Sequence, residues 1–121
     1  MDSLHIYFED LHLGKKPLPQ LLSEYGGYVY KIPEHSFNIE KTYGYRKYET
    51  REDFVAALRE TYQNALLPLA AKGLCGAVYT QVSDVEDETN GLLTYDRAEL
   101  KIRPEELRDL AQALQDSMSG L

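Results

Sequence analysis

The clearest pattern along the chain is a helical one. Phe54, Leu58, Tyr62, Leu66 and Leu69 recur at spacings of 4, 4, 4 and 3, which places them on one face of a helix. Thr50 stands three residues before Asp53, so a hydroxyl and a carboxylate bracket the first free N–H groups in the manner of a capping box. Lys72 and Gly73 supply a cation for the last turn and a residue suited to the position just past it. The pattern predicts a helix over about 51–72, kinked at Pro68, whose ring and missing N–H disturb a helix interior.

Short apolar runs predict strands. Leu4 to Phe8 is an apolar and aromatic run. Residues 20–24 are apolar at their centre and stop at Gly26-Gly27, which predicts a buried strand. Residues 75–81 are short and β-rich towards their end, and predict another. Between them, 25–49 shows no period and is expected to be a long loop rich in tyrosine. An acidic loop is expected over 83–97, with a turn at Asn90-Gly91. Pro104 then opens a last helix over about 104–117, whose apolar face is Leu107, Leu110, Ala111 and Leu114.

Strands alternating with helices imply an α/β fold with a parallel sheet. The long segments follow the strands, and the carboxyl ends of strands are where such sheets bind ligands. The 121 residues amount to one domain.

Composition narrows the function. The net charge is −7, and basic residues bunch only as Lys15-Lys16 and Arg46-Lys47. A protein that neutralises phosphates needs a basic face, so neither nucleic acid nor an anionic membrane surface is an expected partner. No apolar run approaches the roughly 20 residues of a membrane span. The first residues show no basic region followed by an apolar one, so a cytoplasmic protein is expected. The single cysteine, Cys75, is expected to be a buried inert thiol. His5, His12 and His35 lack ligand spacing, and the run Asp84, Glu86, Asp87, Glu88 fails the EF-hand pattern. No metal and no cofactor are expected, and the acidic run reads as a solvated loop. His35 and the tyrosines of 25–48 are candidates for lining a sugar site, or for folding on one another.

Glu24 is the first candidate for chemistry. It ends a short apolar strand and precedes Tyr25-Gly26-Gly27, and a carboxylate so placed suits a nucleophile or general base. A solvated carboxylate before a glycine turn is the competing reading.

The stretch Lys16-Pro17-Leu18-Pro19-Gln20-Leu21-Leu22-Ser23-Glu24-Tyr25-Gly26-Gly27 resembles the seventh strand of the catalytic barrel in glycoside hydrolase family 2. That family includes β-galactosidases, β-glucuronidases and β-mannosidases. Gly73-Leu74-Cys75-Gly76-Ala77-Val78-Tyr79-Thr80-Gln81, followed by a loop through Asn90-Gly91-Leu92 and Tyr95-Asp96-Arg97, is similar to its eighth strand and the loop after it. The resemblance implies a partial TIM barrel, the last strand–helix units of a (β/α)8 enzyme. It implies retaining hydrolysis of O-glycosidic bonds with Glu24 as nucleophile. It implies that Tyr7, at the end of the sixth strand, hydrogen-bonds that nucleophile. Gln81 stands where galactosidase members carry a tryptophan that stacks on the sugar, so a galactose preference is not implied.

The retaining mechanism needs a second carboxylate about 5–5.5 Å from the first. In the family it belongs to an Asn-Glu pair, and no such pair occurs in this sequence. A whole barrel takes about 250 residues, more than twice this chain. The resemblance therefore implies a fragment, inactive alone, whose partners are a carbohydrate substrate and the remainder of the barrel. The alternative is a stand-alone module that binds a sugar or a protein. Its open sheet edges would then drive a homo-oligomer.

Overall fold

The structure is a computed structural model that describes residues 2–6, 11–14, 19–37 and 46–119. It is an α/β protein. Three strands, β1 (Asp2–Ile6), β2 (Gln20–Gly26) and β5 (Leu74–Thr80), form a parallel sheet with β2 in the middle. Asp2 pairs with Gln20 and Ile6 with Tyr25 on one side of β2; Gln20 pairs with Leu74 and Gly26 with Thr80 on the other. The peptide bond between Thr80 and Gln81 is cis.

The segment expected to be one long loop holds more structure than that. β2 runs two residues past Glu24, and β3 (Tyr28–Tyr30) pairs in parallel with β4 (Arg46–Tyr48). A tight turn, Pro33–His35, follows β3. Three-residue strands leave no measurable period in sequence, and aromatic contacts hold them. The Tyr28 ring meets Tyr48 edge-on at 6.1 Å, and Tyr30 lies tilted on Phe54 at 5.9 Å.

The long helix is present as α1 (Arg51–Thr61) and α2 (Leu67–Ala71), joined without a break by a wide, π-type turn at Tyr62–Leu66. Pro68 explains that turn. It has no N–H for the carbonyl four residues back, and its ring crowds that carbonyl, so the turn before it widens. The Leu67 amide accordingly reaches the Tyr62 carbonyl, five residues back. Thr50 caps α1, its hydroxyl accepting from the Asp53 amide at 3.1 Å. Thr50→Ala is expected to lower the unfolding free energy by about 1 kcal/mol, read by urea denaturation. The helix ends at Gly73, whose φ of +111° is cheap only for glycine. The last helix begins with the tight turn Pro104–Glu106, and α3 follows at Arg108–Ser119. Arg51 binds Glu106, and Arg59 binds the Glu106 carbonyl and the Asp109 carboxylate, tying α1 to α3.

One core lies between sheet and helices, where Ile6, Leu22, Tyr25 and Leu74 meet Leu66 and Leu69. A second joins Tyr28 to Phe54, Val55, Leu58 and Ile102. The residues between these positions on the strands point the other way. Ser3, His5 and Val78 are exposed there. Parallel sheets usually bury both faces; here the helices serve one.

Candidate functional site

Glu24 stands on that second face, inside β2 rather than in a loop beyond it. Parallel pairing sets it beside His5 of β1. His5 Nδ1 lies 3.6 Å from Glu24 Oε1, and the Glu24 side chain is 44% exposed. One step towards the amino end, the Ser3 hydroxyl donates to the Ser23 hydroxyl at 2.6 Å. A carboxylate, an imidazole and two hydroxyls thus share one surface of the parallel sheet, with Glu24 and His5 nearer the carboxyl ends of their strands than the two serines. A half-exposed carboxylate there is of the residue type that serves as a nucleophile.

Gln81 follows β5 directly. Because Gly26 pairs with Thr80, Gln81 emerges next to the end of β2, and the structure brings the two sequence candidates to neighbouring strand ends. The Gln81 side-chain amide donates to Asn90 Oδ1 at 2.7 Å and to Glu88 Oε2 at 3.4 Å. Its backbone N–H donates to the Asn90 carbonyl, and its own carbonyl accepts from Leu92. Gln81 is therefore built into the acidic loop. Tyr7 lies outside the described residues.

The acidic run is not uniformly solvated, which corrects the sequence reading. Glu86 and Glu88 are exposed, but Asp84 is 3% exposed and Lys101, beneath it, is fully buried. Lys101 Nζ donates to Asp84 Oδ1 at 2.6 Å and to the Thr89 carbonyl at 3.0 Å. The Gly91 amide donates to the same Asp84 oxygen at 2.9 Å. Burial pushes the Asp84 carboxyl up and the Lys101 ammonium down, and each charge opposes the shift of the other. Gly91 has to be glycine on steric grounds, since a Cβ there would fall 2.3 Å from the Asp84 amide nitrogen. Among the described residues, no group of three or more His, Cys, Asp or Glu side chains is placed to hold a metal.

Other expectations change as well. Cys75 is exposed rather than buried, and its thiol donates to the Gln20 carbonyl at 2.9 Å. Tyr25 is a core residue rather than the lining of an open sugar site, whereas Tyr28, though mostly buried, also borders a cavity together with Tyr48. Tyr25 meets Tyr79 edge-on at 5.5 Å, and burial pushes both phenols well above their ordinary value. His35 is held by Asp96 at 2.6 Å, a contact across 61 residues. A cavity of about 400 Å³ lies on the helix side of the sheet, between Ile6, Tyr28, Arg46, Tyr48, Thr61 and Asn64. Ile6 points into the helix-side core and the neighbouring His5 away from it, so this cavity and Glu24 belong to opposite faces.

No protein-family model matches the chain, and no curated protein matches it. No described helix is long and apolar enough to cross a membrane.

Proposed function

We propose that this chain is the nucleophile-bearing side of a retaining glycoside hydrolase. β1, β2 and β5 are then the sixth, seventh and eighth strands of a (β/α)8 barrel. The observation that carries the reading is the position of Glu24. It lies towards the carboxyl end of the middle strand of a parallel sheet, on the face the helices leave open. In a barrel that face turns inward, and residues at the carboxyl ends of its strands do the chemistry. The strand order agrees, since three parallel strands that are consecutive in a barrel are here side by side.

In the reaction, the Glu24 carboxylate attacks the anomeric carbon, and the bond to the leaving oxygen breaks as the glycosyl–enzyme ester forms. His5 stands beside the carboxylate, with Nδ1 3.6 Å from Oε1, and helps to position it. A second carboxylate must protonate the leaving oxygen and then activate the water that hydrolyses the ester. The sequence has no Asn-Glu pair to supply it, so the remainder of the barrel does. The chain alone is expected to show no turnover of aryl glycosides, with or without Glu24→Gln. Turnover that survives the substitution would remove Glu24 from the mechanism.

The positive test uses the whole polypeptide that carries this chain. Loss of a covalent catalyst costs on the order of 10⁴–10⁶ in kcat. Glu24→Ala should fall by such a factor on aryl glycosides, and added azide should restore turnover, giving a glycosyl azide of inverted configuration. A variant within tenfold of the native rate would sink the proposal.

The open sheet face supports a second reading, in which the chain works alone as a sugar- or protein-binding module and covers that face with another copy. A solution mass of 13.9 kDa at low concentration, with cooperative unfolding, would exclude self-association.

A further inference from the structure

We propose that His35 and Asp96 form a latch that holds the segment after β3 against the loop after β5, and that it loosens when the imidazole loses its proton. The carboxylate is set before the imidazole meets it. Asp96 Oδ1 accepts from the Thr94 hydroxyl at 2.6 Å and from the Ala98 amide at 3.0 Å. That leaves Oδ2 for His35 Nδ1, 2.6 Å away. His35 Nε2 lies 3.9 Å from Glu99 Oε1. The charged groups facing the imidazole are thus Asp96 and Glu99 from the loop and Glu34 from its own turn. Protonated His35 is the counter-charge to three carboxylates drawn from two segments. Once it loses its proton, those carboxylates lose the counter-charge it supplied.

At the root of this junction the Tyr30 amide donates to the Thr89 carbonyl at 3.3 Å, and beyond it, among the described residues, the contacts are sparse. Across it, Phe37 packs on Tyr95 with ring centroids 5.2 Å apart, but both side chains remain substantially exposed. Such a seam buries too little apolar surface to hold against like charges.

The direction of the pH dependence follows from linkage. The Asp96 hydrogen bond, aided by the charges of Asp96, Glu99 and Glu34, raises His35 above its ordinary value. A raised imidazole contributes stability that is complete below the unfolded value of about 6.5 and is lost as pH rises through the folded value. The hydroxyl of Thr94, with His35 and the Ala98 amide, holds Asp96 down at about 2. Its contribution is complete above about 3.9 and fades only as pH falls towards 2. The latch is therefore tightest between about pH 4 and 6.5.

Nuclear magnetic resonance on the full chain tests this. His35 is titrated in the native chain and in Asp96→Asn, and the cross-peak between the Phe37 and Tyr95 rings is followed at pH 6 and pH 8.5. His35 should titrate above 6.5 in the native chain and lower in the variant, which has lost its closest opposite charge. The ring cross-peak should weaken at least twofold at pH 8.5, and in His35→Gln it should be weak at both pH values. An unchanged His35 titration in Asp96→Asn, or a native cross-peak equal at both pH values, would overturn the latch.

Discussion

Replacing Lys101 by methionine is expected to lower the unfolding free energy by about 3–5 kcal/mol, the cost of stranding a buried charge. Methionine keeps much of the lysine's volume, so packing changes little. What is lost is the cation. Among the described residues, Asp84 then keeps only the Gly91 amide on Oδ1, and its Oδ2 already has no partner. A carboxylate in that position relieves itself by taking up a proton. Its folded value rises further above the unfolded one, so the folded variant binds more protons than the unfolded chain. Stability of the variant must then fall as pH rises. Urea denaturation at pH 5 and pH 7.5 should show the larger loss at pH 7.5. Lys101→Met combined with Asp84→Leu should recover part of the loss, because removing both charges leaves none stranded. A loss under about 1 kcal/mol for the single variant would mean that the pair does not organise the loop.

Phe54→Ala should be similarly costly, by about 3–5 kcal/mol. The ring has no exposed surface and lies against Tyr30 of β3. Around it stand Leu58 of the same helix and Ile102 of the segment leading to α3. Removing the ring opens a cavity at the point where helix, short strands and C-terminal segment meet. Equilibrium unfolding reads the loss, and a change below about 1.5 kcal/mol would mean that the second core collapses around the gap.

These two positions show what the sequence made legible. Phe54 was visible as a core residue because a helical period repeats over five apolar positions, and repetition identifies a buried face. Lys101 was invisible, since a lone lysine is ordinarily solvated and its partner stands 17 residues away in a run that looks like a solvated acidic loop. The same holds for His35 and Asp96, joined across 61 residues by a turn and a loop, neither of which has a period. The parallel sheet followed from strand–helix alternation, whereas β3 and β4 are too short to alternate visibly. Pro68 correctly marked a disturbed helix, but the disturbance lies in the turn before it. Glu24 was legible as a position, since an apolar strand meets Gly-Gly there. Its neighbour His5 was not, because parallel register is set by the whole sheet.

The central claim is that Glu24 forms a glycosyl ester. It is tested most directly by covalent trapping in extract of the source cells. 2-Deoxy-2-fluoroglycosyl fluorides of glucose, galactose and mannose are applied, since fluoride leaves without acid assistance and the fluorine slows the second step. Proteins are then separated by size and digested. The account predicts a fluoroglycosyl group on a peptide containing Glu24, from a protein several times 13.9 kDa. A Glu24 peptide found only in a free 13.9 kDa species and unlabelled by all three reagents, or a label on another residue of the same protein, would contradict it.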